Sequence, residues 1–108
     1  MVPRRDALRR MSRDAFGQTY RLELMLVIAH SDDGLVTLTD LADRLGLRPS
    51  QIQRPLTNLI DLGLLTELPQ GDARHRFLLR NPSAAWDWAR EMETVALAAD
   101  VTAGLPGT

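Results

Sequence analysis

The sequence predicts a mainly α domain that carries one small β-hairpin. Three observations predict it. Apolar residues recur at spacings of three and four in five stretches, most of them bounded by glycine or proline. Two short strand candidates, Leu64 to Leu68 and Arg76 to Leu79, flank a Pro69-Gln70-Gly71-Asp72 turn. The 108 residues, 44% apolar and 25% charged, fit one domain with an ordinary core. That balance excludes a collagen-like, disulfide-framework or broadly disordered chain.

The elements follow in order. Residues 3–16 read as a short amphipathic helix, with Pro3 in its first turn and Leu8, Met11 and Ala15 on one stripe. After Gly17, residues Gln18 to Ala29 form a helix apolar on most sides, which implies burial on most sides. His30 to Gly34 is a turn cluster, and Leu35-Val36 a brief strand. Thr37 looks like an N-cap with Asp40 three residues on, and the helix Leu38 to Leu45 ends at Gly46. Pro49 opens a helix to Leu62, whose buried stripe is Ile52, Leu56, Leu59 and Ile60. In the returning strand, Phe77 and Leu79 are expected to point inward, with Arg76 and Leu78 on the other face. A last helix runs from Asn81-Pro82 to about Asp100, with Trp88, Met92, Val95, Ala96 and Ala99 as its seam. The small residues from Thr102 to Thr108 are expected to form a flexible tail. The organisation expected is therefore an N-terminal helix (1–17), a central domain (18–80), a C-terminal helix (81–101) and a tail (102–108).

The net charge of −1 hides an alternation: +4 over residues 1–21, −5 over 22–43, +3 over 44–80 and −3 over 81–108. A neutral total argues against general polyanion binding, but a basic face can still bind phosphates. All 13 basic residues are Arg. A GC-rich coding bias accounts for that, so the absence of Lys says little about function. There is no cysteine, hence no disulfide, zinc-thiolate site or thiolate nucleophile. No signal peptide follows Met1, and the longest apolar run, Leu24 to Ala29, is far short of the ~20 residues needed to span a bilayer. The expected setting is cytoplasmic, with no membrane association.

The string TLTDLADRLGLRPSQIQRPLTNLIDLGLLTEL, from Thr37 to Leu68, resembles the winged helix-turn-helix regulators, most closely the MarR-like and ArsR-like groups. Leu41-Ala42 falls in the first helix of the motif, Gly46 in its turn, Pro49-Ser50 at the start of the second helix, and Leu59 to Leu65 in the exit toward the wing. The resemblance spans roughly residues 18–80. It implies a winged helix-turn-helix with flanking helices, acting as a DNA-binding transcriptional regulator.

Elementary chemistry agrees. Two short helices joined by a glycine turn bury their leucines and leave the outer face of the second free to enter a major groove. That face carries Ser50, Gln51, Gln53, Arg54, Thr57 and Asn58. Arg matches guanine O6 and N7; Gln and Asn match adenine N6 and N7. Arg48 stands at the helix start, where free backbone N–H groups also favour phosphate. In the hairpin, Arg74, His75 and Arg76 place positive charge where a wing reaches the minor groove or backbone. Pro55 is the discordant residue. It removes a hydrogen bond to Gln51, so either the first turn is distorted or the regular helix begins after Pro49.

A lone winged domain reads few base pairs, so a homodimer on a palindromic site is expected. Leu8, Met11 and Phe16 of the first helix and Trp88, Met92, Val95 and Ala99 of the last are the candidate interface. Trp86 lies on a neighbouring face. The two His, His30 and His75, are far apart, and no H-E-x-x-H, phosphate loop or nucleophile elbow occurs. No enzyme, metal or cofactor is expected. The most economical function is a homodimeric bacterial repressor. The alternative is a winged-helix protein-interaction module, because fold does not fix function. An effector cleft lined by Tyr20, Trp86 and Trp88 is a third reading, set against the commoner role of such aromatics as core.

Overall fold

The computed structural model describes residues 5–69 and 76–103, with side chains as far as Ala99. Its elements are α1 (Arg5–Phe16), α2 (Arg21–Ala29), β1 (Leu35–Thr37), α3 (Leu38–Leu45), α4 (Pro49–Asp61), β2 (Leu65–Glu67), β3 (Phe77–Arg80) and α5 (Ala84–Ala103). The mainly helical plan with a small antiparallel sheet is the one the leucine periodicity predicts. Pro3, residues 70–75 with Arg74 and His75, and the end of the tail lie outside the described residues. Thr102 and Ala103, expected in the tail, belong to α5.

The apolar α2 is the hub, touching α1, α3, α4 and α5. Leu22, Leu24, Met25, Leu26, Ile28 and Ala29 are all buried, as a helix apolar on most sides requires. Each fully buried leucine contributes roughly 1.5–3 kcal/mol against its exposed state. The helix begins at Arg21 rather than Gln18, because the fully buried Ser12 hydroxyl donates to the Gln18 carbonyl and accepts from the Leu22 N–H (3.1 Å). That clamp folds α1 back on α2 and places the Gln18 backbone in the joint rather than in a helical turn.

Glu23 is the other polar group within this interface. It is buried and receives Arg9 Nε at 2.6 Å, with Arg5 Nε 3.7 Å away; Arg9 also lies over the Tyr20 ring. The basic face of α1 is thus partly spent on its own domain.

The sheet order is β1-β3-β2, all antiparallel. Val36 opposes Leu78, and both are buried with Leu65. This reverses the expected facing of β3: Leu78 points inward and Leu79 outward, 39% exposed. Three consecutive apolar residues, Phe77-Leu78-Leu79, fit a period of two in either register, and pairing to Val36 selects one.

Along α5 the aromatic assignment also changes. Trp86, Ala89, Met92 and Ala96 are buried, and Trp86 Nε1 donates to the Asn81 carbonyl at 2.7 Å. Trp88 and Val95 are exposed, at 46% and 54%. The expected seam therefore mixed two faces, Met92 and Ala96 from the buried one and Trp88, Val95 and Ala99 from the open one. Both sets follow helical spacing, so periodicity alone does not separate them.

Candidate nucleic-acid interface

The helix-turn-helix is built by two paired helix ends. Thr37 is in extended conformation and its Oγ1 accepts from the Asp40 N–H at 3.1 Å, starting α3 as the sequence implies. Gly46 ends α3 at φ +68, a conformation that strains any residue with a Cβ. Its N–H donates to the Asp43 carbonyl and that of Leu47 to Ala42, which is the Schellman pattern. The same pattern recurs at the end of α4, where Gly63 donates to Ile60 and Leu64 to Leu59. The two Leu-Gly-Leu strings of the sequence are these two exits.

α4 buries Ile52, Pro55, Leu56 and Leu59 and turns the opposite side outward. Ser50, Gln53, Arg54 and Thr57 are exposed along that side, at helical spacings of three, one and three. Arg48 is also exposed, at the N-cap. The guanidinium groups of Arg48 and Arg54 have no ion-pair partner among the described residues. The outer surface of α4 is therefore open rather than covered by another described element.

Two members of the expected set differ in kind. Gln51 is half-buried, and its Oε1 accepts from the Arg48 backbone N–H at 2.9 Å. It acts as the returning arm of a capping box, so its amide oxygen is occupied. Asn58 is likewise half-buried. Pro55 neither breaks α4 nor delays it: the helix runs unbroken from Pro49 with the pyrrolidine ring in the core. The local consequence is that the Gln51 carbonyl loses the donor a non-proline residue would supply one turn on.

The wing is less free than its arginines imply. Arg76 pairs with Glu67 across the hairpin, Nη2 to Oε1 at 2.6 Å and Nε to both carboxylate oxygens at 3.2 Å. That guanidinium holds the Glu67 carboxyl below its ordinary value. Arg80 turns away from the wing and donates to carbonyls at the end of α2. No sequence pattern marks it, because its acceptors are backbone atoms some fifty residues away.

The expected interface residues on the flanking helices divide. Leu8 and Met92 lie in the core, and Met11 packs partly against it. Phe16 meets Trp88 edge-on at 5.5 Å, and Trp88, Val95 and Ala99 face outward. Tyr20, Trp86 and Trp88 occupy separate environments: beneath Arg9, in the core, and against Phe16. A cleft of about 300 Å³ lies elsewhere, lined by Val27, Leu35, Val36, the 30–33 turn, Asp40 and Arg44. Among the described residues no three His, Asp or Glu come together to hold a metal, and no helix is long and apolar enough to cross a membrane.

Comparison with known proteins adds an independent finding. A family model described as MarR family matches residues 21–75. Among solved structures, the transcriptional regulator PA3341 is similar over 94% of this chain and 74% of its own, at 25% identity and TM-score 0.65. Sco3205, a MarR family transcriptional regulator from Streptomyces coelicolor solved in complex with DNA, is similar over 95% of this chain and 67% of its own (20% identity, TM-score 0.64). A mutant MarR from E. coli shares the fold over 93% of this chain and 74% of its own, at 16% identity and TM-score 0.68. No curated protein matches the chain by sequence.

Proposed function

Because the chain belongs to the MarR family, we propose that it is a sequence-specific DNA-binding transcriptional regulator that places α4 in the major groove. The observation that carries this reading is the open face of α4, with Ser50, Gln53, Arg54 and Thr57 exposed and Arg54 free of any ion pair among the described residues. An unpaired guanidinium between uncharged hydrogen-bonding side chains suits base edges, and Arg48 at the N-cap suits a phosphate. Sco3205, similar in fold, was solved bound to DNA, which supports the same use of the domain here.

Arg48, Ser50, Gln53, Arg54 and Thr57 form the contact set, with Gln51 and Asn58 at its edge. Arg74 and Arg76 serve the wing. The protein acts as a homodimer, supported by the outward stripe of Trp88, Val95 and Ala99 with Phe16 beside it. A large exposed tryptophan set edge-on against a phenylalanine is a surface suited to burial by a partner. Leu8 and Met92 contribute by shaping the helices rather than by direct contact. The output is repression through occupancy of the site, in the cytoplasm.

Selection of bound duplexes from random DNA tests the whole reading. Enrichment of a two-fold symmetric sequence is the expected result. No enrichment above background would overturn it, and an asymmetric short motif would overturn the dimer.

A further inference from the structure

The hairpin contains an arrangement that the DNA-reading surface leaves unused: a wing arginine turned onto a carboxylate of its own hairpin. We propose that Glu67 sets the affinity of the wing by holding Arg76 off the DNA backbone, so that engagement requires exchange of a carboxylate for a phosphate. The inference rests on the DNA-binding reading above.

The geometry points to a side-chain latch on a fixed backbone. The Leu68 N–H donates to the Phe77 carbonyl at 2.9 Å, and the Leu38 N–H donates to the Arg76 carbonyl at 3.2 Å. The first ties the two arms of the hairpin to each other and the second ties Arg76 to the start of α3. The Arg76 side chain therefore has to change partners by rotamer, not by movement of the strand. Its Nε and Nη2 both address Glu67, so one edge of the fork is filled. An incoming phosphate would meet a neutral pair and an exposed carboxylate instead of a lone cation.

Exposure makes the exchange feasible. The Glu67 side chain is 38% exposed and that of Arg76 is 21% exposed. A pair on a wet surface is weakly held, and phosphate offers the same bidentate match as carboxylate. The released Glu67 then faces the phosphates and opposes binding. Arg48 and Arg54 carry no such counterweight among the described residues. The wing is thereby the adjustable contact and α4 the constant one.

The test is Glu67→Gln, which keeps the size of the side chain and removes its charge. Binding to a duplex enriched from random DNA is titrated with salt. The variant is expected to bind about fivefold tighter and to steepen the salt slope by ~0.9, the signature of one more phosphate contact. Adding Arg76→Ala should erase the gain, and Glu67→Gln should give none relative to Arg76→Ala alone. Unchanged or weaker binding by Glu67→Gln overturns the proposal. So does a gain that survives Arg76→Ala, since that is bulk charge and not a latch. Arg54→Ala in the same assay separates the two levels. If it weakens binding while Glu67→Gln has no effect, the latch alone fails. If neither wild type nor any variant binds, the DNA reading fails with it.

Discussion

Arg80 closes the end of the helix that carries Ile28: its Nη1 lies 2.7 Å from the Ile28 carbonyl oxygen, and also reaches Ala29 at 3.1 Å and Ser31 at 2.9 Å. Arg90 Nη2 adds a bond to Ala29 at 2.7 Å from α5. The last carbonyls of a helix have no intrahelical donor and sit at its negative end, so two guanidinium groups there satisfy both needs. The sheet, the hub helix and α5 are joined at this one point.

Replacing Arg80 with Ala should therefore destabilise the fold by about 2–3 kcal/mol, the scale of losing charged hydrogen bonds to partly buried acceptors. Urea unfolding measures it. Arg80→Lys should recover only part, since a point charge serves fewer carbonyls.

The Arg9–Glu23 pair predicts an asymmetry. Arg9→Ala leaves the buried Glu23 carboxylate with only the longer Arg5 contact and should cost about 1–3 kcal/mol. Replacing both with apolar residues, Arg9→Met with Glu23→Leu, should recover most of that loss. A double variant as unstable as Arg9→Ala would mean the ionic contact itself, not the stranded charge, matters.

Gly34 and Gly46 share a left-handed φ but differ in surroundings. A Cβ on Gly34 would lie 3.1 Å from Arg80 Cβ, whereas one on Gly46 meets only the far end of Arg5 at 2.9 Å. Gly34→Ala should therefore be the costlier change, because a Cβ cannot step aside as a guanidinium can. Each carries in addition about 1–2 kcal/mol for the backbone conformation. Melting temperatures of the two variants give the order.

Asp33 predicts a small acid-side dependence. The Leu35 backbone N–H, 3.0 Å from Oδ1, lowers its pKa below the ordinary 3.8, helped by the Ser31 hydroxyl and the charge of Arg80. A carboxyl depressed in the folded state stabilises above its unfolded value, and that contribution disappears as pH falls through the folded one. Stability should thus decline below about pH 4, and Asp33→Asn should flatten that part of the profile. Chemical unfolding across acidic pH decides it.

Most of the fold is legible in the sequence because its punctuation is chemical. Thr37, Gly46, Pro49 and Gly63 each mark a helix boundary by a backbone requirement that only local sequence sets. The exposed face of α4 is legible for the same reason, through leucine spacing. What periodicity does not carry is the choice between two equivalent faces. Leu78 against Leu79, and Trp86 against Trp88, are decided by Val36 and by the hub helix, which are distant in sequence. Nor does it assign arginines: Arg76, expected free on the wing, meets Glu67, and Arg80, which no pattern marks, meets three carbonyls.

The most direct test of the central claim is the salt-dependent affinity of wild type and Arg54→Ala for the selected duplex, read by fluorescence anisotropy. Wild type should weaken steeply and linearly in log salt, and Arg54→Ala should bind about tenfold more weakly and discriminate less between base sequences. Equal affinity and equal discrimination by the two proteins would contradict the account.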